Sequence, residues 1–155
     1  MFRIKVEKLL NKDINAVFEL LADHENYDRF PGISNSVLLE QGKDEKNGLG
    51  ALRGLTLGGM KFEEKITNFE RPTKLSYQIV KSKPVPFDHD FGTIELSKEG
   101  KFTRVVWISE GHIAVPFIGK LVLDKLATKQ GTAGFLKALE VIEWTSHDLV
   151  KGNPV

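Results

Sequence analysis

Between Pro116 and Pro154 the chain contains no proline, and that unbroken run constrains the fold more than any other feature. Pro116 suits the first turn of a helix, where its missing N–H would have no partner anyway. Downstream, Phe117, Leu121, Phe135, Leu136, Leu139 and Ile142 recur at helical spacing. Lys120, Lys125, Lys129, Lys137 and Glu140 supply a wet face, and Gly152 and Pro154 mark a stop. The reading is one long helix from Pro116 to about Val150. Roughly 30 residues would span about 45 Å, long for one compact domain, which predicts a bend or a separate first segment near Pro116–Lys120. Gly131 and Gly134 interrupt the pattern, each at a cost of about 1 kcal/mol against alanine. They are either tolerated weak points or places that leave room for a ligand.

Upstream of this helix the periodicity changes from helical to alternating. Phe2, Ile4 and Val6 alternate with Arg3, Lys5 and Glu7, a strand with one face buried. Asn11 or Asp13 caps a short helix over Ile14–Leu21, and a second helical turn, Asp23 to Phe30, ends where Pro31 pushes Phe30 out of helical geometry. Ile33 to Glu40 reads as a strand. Leu49–Leu57 and Met60–Phe69 flank Gly58-Gly59, a two-residue loop that favours a primed turn. That turn sets Leu57 opposite Met60, Leu55 opposite Phe62, Arg53 opposite Glu64 and Ala51 opposite Ile66, all on one face. Arg53 and Glu64 then form a cross-strand ion pair on the inward, otherwise apolar side. Leu75–Lys81, Phe87–Ser97 and Phe102–Gly111 complete the strands. A symmetric register places Leu96 opposite Thr103, Ile94 opposite Val105 and Gly92 opposite Trp107. Helices segregated from a meandering antiparallel sheet define an α+β class.

At 155 residues one domain, 1–155, is expected, with a sizeable core. A net charge of +1 with interspersed signs offers no basic stripe, so nucleic acid is not an expected partner. The absence of cysteine excludes disulfides and thiol nucleophiles. No apolar run reaches the roughly 20 residues of a membrane span, and the N-terminus lacks a signal peptide's apolar block. A cytoplasmic protein without an integral membrane segment, monomer or homodimer, is the expectation.

Five segments carry a resemblance to a known family: Ala22–Tyr27 ending near Phe30-Pro31, Gly48–Arg53, Phe62–Pro72, Leu75–Tyr77 and Thr103–Trp107. In order and spacing they resemble the START-like helix-grip superfamily, in its polyketide cyclase/dehydratase-like branch. The resemblance spans nearly the whole chain. It implies a seven-stranded antiparallel sheet curved around the C-terminal helix, two short helices after the first strand, and a deep cavity between sheet and helix. Phe30 stands where the family usually has tryptophan. Members bind sterols, lipids, hormones or polyketides, and only some are enzymes.

Candidate pocket residues are Phe30, Arg53, Leu55, Phe62, Glu64, Tyr77, Ile79, His89, Phe91, Trp107, Leu121 and Phe135. Arg53 and Glu64 read as anchors for a ligand's polar end, or as a structural pair. Tyr77 and Trp107 offer apolar bodies with one hydrogen-bonding tip each. In Asp88-His89-Asp90 the hairpin register turns the aspartates inward, whereas a bulge at Gly92 would turn His89 inward; both remain open. That spacing suits no metal, and His24, His112 and His147 read as surface or capping residues. No metal and no cofactor are implied. The leading function is binding of a hydrophobic or amphipathic small molecule, a lipid, polyketide or isoprenoid. The alternative is a cyclase or dehydratase in which Glu64, with Asp90 or His89, moves protons.

Overall fold

The computed structural model describes residues 1–116 and 119–145. Its elements run β1 (Phe2–Leu10), α1 (Ile14–Ala22), a 3-10 helix (His24–Arg29), β2 (Ile33–Glu40), β3 (Leu52–Leu57), β4 (Met60–Glu70), β5 (Lys74–Lys83), β6 (Phe87–Glu99), β7 (Phe102–Ile113) and α2 (Gly119–Trp144). The strands form one antiparallel sheet in the order β1-β7-β6-β5-β4-β3-β2. Closing the meander this way pairs the first strand with the last. Its inward face is covered by α1, the 3-10 helix and α2, the helix-grip arrangement expected from the sequence.

Local chemistry sets these boundaries. Asp13 caps α1, its carboxylate accepting from the N–H groups of Asn15 and Ala16 at 3.0 and 3.4 Å. Gly58 and Gly59, both at positive φ, turn β3 into β4. The register that follows pairs Leu57 with Met60, Leu55 with Phe62 and Arg53 with Glu64, as predicted.

The β6–β7 hairpin departs from prediction. Its loop is the two-residue Gly100-Lys101 rather than four residues, so Glu99 pairs with Phe102, Leu96 with Val105, Ile94 with Trp107 and Gly92 with Ser109. The positive φ of Gly100 explains the choice. A two-residue shift by itself moves no side chain to the other face. Gly92 is needed instead by β5: it pairs with Tyr77, whose ring would lie 2.2 Å from an added Cβ.

The helix α2 lies chiefly over β1. Its buried residues are Asp124, Ala138, Leu139 and Ile142. Gly131 permits the close approach, since a Cβ there would come within 2.3 Å of Ile4 Cδ1, while Gly134 faces open space. The described part of α2 begins at Gly119, and the stretch that joins it to Pro116 lies outside the described residues. The expected bend falls partly on residues 117–118 and the stop at Gly152–Pro154 entirely on 146–155, outside the described residues.

Among the described residues the expected deep hollow is not seen. Trp107 stacks on Phe135 with ring centroids 3.9 Å apart, filling the space between β7 and α2. Two concavities stand out elsewhere. One of about 380 Å³ is lined by Met1, Asp124, Lys125, Thr128, Lys129 and Thr132, and one of about 90 Å³ lies beside Phe62 and Lys83.

Replacing Gly92 by alanine should force the Tyr77 ring from its seat. We expect a loss of about 1–3 kcal/mol in urea unfolding, typical of overpacking a filled core.

Candidate functional site

The β3–β4 register lays Arg53 beside Glu64 on the inward face, and burial makes that placement consequential. Arg53 is 1% exposed and Glu64 7%. Arg53 Nε donates to Glu64 Oε1 at 2.9 Å, and Nη2 lies 2.8 Å from the same oxygen. Two charges taken out of water cost several kcal/mol each unless their remaining donors and acceptors are satisfied. A third partner comes from the 3-10 helix: Nη1 donates to His24 Nδ1 at 3.1 Å. Because Nδ1 accepts, the ring proton sits on Nε2, which donates to the Asn47 carbonyl at 2.8 Å. The guanidinium also lies over two aromatic rings, Tyr27 at 4.5 Å and Tyr77 at 5.0 Å.

From this centre an aromatic chain reaches α2. Trp107 Nε1 donates to the Tyr77 hydroxyl at 3.0 Å, and Trp107 in turn stacks on Phe135. On the other side Tyr27 meets Phe30 edge-on at 4.9 Å and donates its hydroxyl to the Leu21 carbonyl. His89 stacks on Tyr77 at 5.7 Å and on Phe2 at 6.3 Å. Its Nδ1 accepts the Ile79 N–H at 2.9 Å, so Nε2 carries the proton and donates to Ser109 Oγ at 2.8 Å. Here the sheet is stitched by a side chain, because the backbone ladder between β5 and β6 stops at Tyr77–Gly92.

The titrations follow from burial. His24 is lowered to about 3, by desolvation first and by the Arg53 charge second. His89 is lowered to about 4 by desolvation, against a small opposing pull from Asp90. Burial pushes both Tyr77 and Tyr27 up. For Arg53, desolvation works downward but is outweighed by Tyr27, Glu64 and Tyr77, which hold the guanidinium above its ordinary value.

The structure brings together Phe30, Arg53, Leu55, Glu64, Tyr77, His89 and Trp107, all buried, with Phe62, Ile79 and Phe135 half-buried around them. Phe91 and Leu121 point away, 39% and 65% exposed. For Phe91 the reason is a bulge, placed at Asp90 rather than Gly92: His89 pairs with Gly111 but Phe91 with Glu110, so the two aromatic residues part company. This turns His89 inward and settles the alternatives left open by sequence. In the first turns of α2 it is Asp124 that meets the sheet, accepting the Ile113 N–H at 3.0 Å, while Leu121, a turn earlier, stays exposed. His24 is the reverse case, read as surface or cap but fully buried. Tyr27 and Ser109 were also missed. A buried arginine with two bonds to one carboxylate has donors to spare, which is the one signal that points to a further acceptor. Among the described residues no three His, Asp or Glu side chains gather as metal ligands.

A curved seven-stranded sheet gripping a C-terminal helix over such a centre defines a helix-grip, START/Bet v 1-like domain. A family model described as polyketide cyclase/dehydrase and lipid transport matches residues 1–140, and the chain belongs to that family. Among solved structures it is similar to the Zhui aromatase/cyclase from Streptomyces sp. R1128, at 15% identity and TM-score 0.71 over 91% of this chain and 93% of that one. A START superfamily protein from Mycobacterium smegmatis shares 15% identity at TM-score 0.68, covering 90% and 95%. The protein XoxI from Bacillus cereus shares 17% identity at TM-score 0.67, covering 96% and 98%. At these identities the likeness shows the fold alone. A comparison with curated protein sequences finds no match.

Two measurements follow. Arg53→Met strands Glu64 and should cost about 3–5 kcal/mol, while the double change with Glu64→Leu should recover most of it; a denaturation cycle reads both. Both histidines titrate below the ordinary 6.5 when folded, so the unfolded chain binds more protons in acid. Their contribution is complete above pH 6.5 and is lost as pH falls toward 4 and 3. The slope is up to about 1.4 kcal/mol per pH unit per histidine, and His89→Gln should remove one of the two.

Proposed function

We propose that the protein binds a hydrophobic or amphipathic small molecule between the sheet and α2, with the polar end held near Arg53, Glu64 and Tyr77. One observation carries this reading: a buried ion pair on an apolar wall, flanked by two tyrosines, one of which leads through Trp107 to the half-buried ring of Phe135 on α2. A purely structural interior is served as well or better by hydrocarbon, since such pairs are weak stabilisers. Family membership adds that relatives of this class include lipid-transport proteins and cyclases. Entry requires the Phe135 ring to swing off Trp107, and Gly134 beside it carries no side chain to obstruct that motion.

The same residues fit binding better than acid/base chemistry. Glu64 is held by two nitrogens of Arg53, and each histidine already has both ring nitrogens engaged. A proton-transfer site needs a group free to reach its substrate.

Anilinonaphthalene sulfonate, an aromatic anion, is a suitable probe. We expect saturable one-site fluorescence enhancement, displaced by long-chain fatty acid, together with a co-purifying small molecule in native mass spectrometry. Phe135→Ala should strengthen probe binding several-fold by removing the stack, and Arg53→Met/Glu64→Leu should weaken it. No saturable binding by wild type and Phe135→Ala alike, with no co-purified species, would sink the reading.

A further inference from the structure

The helix α2 is apolar on two sides. Its inner side is spent on the sheet through Phe135, Ala138, Leu139 and Ile142. Its outer side carries Val122, 61% exposed, then Leu126, Leu136 and Trp144, 84% exposed. Spacings of 4, 10 and 8 residues return these four to one side of a 3.6-residue helix. Lys125, Lys129 and Lys137 lie among or beside them. Of the acids of α2, Asp124 is buried and paired with the N-terminal amine, while Glu140, within 3.9 Å of Lys8, and Glu143, which accepts the Asn11 N–H, offset the three lysines only in part.

We propose that this outer face of α2 docks on an anionic lipid surface, lying flat with Val122, Leu126, Leu136 and Trp144 in the headgroup boundary and the lysines among the lipid phosphates. Three observations choose this occupant. The face sets large apolar side chains beside lysines, and an anionic lipid surface satisfies both. A second copy of the chain would bring two positive faces together, which charge repulsion opposes. Trp144 sits at the far end, fully presented, as an indole with an apolar body and a polar N–H does at a lipid–water boundary. No described helix is long and apolar enough to cross a membrane, so the helix would lie on the surface. The proposal does not depend on the interior accepting a ligand, because these side chains are exposed while Arg53 and Trp107 are buried.

Vesicle flotation tests it, with phosphatidylcholine alone and with an equal mixture of phosphatidylcholine and phosphatidylglycerol. Binding to the anionic vesicles only, weakened by salt, is expected. Trp144 emission should shift to the blue, and the shift should vanish in Trp144→Phe, since Trp107 is already buried. Lys125→Gln/Lys129→Gln should weaken binding by roughly an order of magnitude, and Val122→Glu/Leu126→Glu should abolish it. All are surface changes, so far-UV circular dichroism should be unaltered. The proposal fails if anionic vesicles are not bound, if neutral vesicles bind equally, or if these variants bind like wild type. It also fails if sizing reveals a dimer that Leu126→Glu dissociates, because the face then belongs to a second copy.

Discussion

A guanidinium sealed inside a sheet sets terms for everything around it. Arg53 has five N–H donors and no way of shedding its charge. Glu64 answers three of the demands on it: charge, the Nε donor and the Nη2 donor. His24 answers Nη1, and this holds the 3-10 helix against the sheet. The rings of Tyr27 and Tyr77 pack against it. Tyr77 can stand there only because Gly92 on the neighbouring strand has no Cβ. Its hydroxyl then orients Trp107, and Trp107 seats Phe135 of α2. The position of the helix over the sheet is thus tied, ring by ring, to one buried charge.

How much of this is legible in sequence depends on how far apart the partners lie. Arg53 and Glu64 are 11 residues apart across a two-glycine turn, so the turn alone predicts their meeting. His24 reaches Arg53 from 29 residues away, through the docking of a short helix, and no local pattern announces it. The β6–β7 hairpin falls between these cases. Lys98-Glu99-Gly100-Lys101 allows a loop of two or four residues, and the choice shifts partners by two without moving a side chain to the other face. Face assignments therefore survive where pairings do not. Phe91 shows when they fail: one extra residue in a strand reverses parity, and periodicity cannot locate that residue.

The same bulge explains why a histidine rather than a backbone amide joins β5 to β6. Past Tyr77–Gly92 the two strands diverge, leaving the Ile79 N–H without a ladder partner. A buried donor left unpaired is costly. His89, turned inward by the bulge, accepts that N–H with Nδ1, and Gln78 Nε2 donates to the His89 carbonyl at 2.9 Å. Two side chains thus replace two rungs of the ladder, and the sheet opens without leaving its polar groups dry. The arrangement holds only while His89 is neutral, since protonation would turn Nδ1 from acceptor to donor.

The weak helical pattern of α2 has a related cause. A helix that only covers a sheet shows one apolar stripe and one polar face, and such a stripe is easily read. In α2 the inner side is interrupted by Asp124, which serves the Ile113 N–H, and by Gly131, which admits Ile4. Leucines and valine then appear on the solvent side, so a search for a single stripe mixes two. Leu136 falls into the same apolar series as Phe135 and Leu139 for that reason, although it is exposed. A sequence that spends apolar residues on the far side of its covering helix gains nothing in folding from them. Their return must come from whatever that side meets, and the lysines set among them limit what it can be.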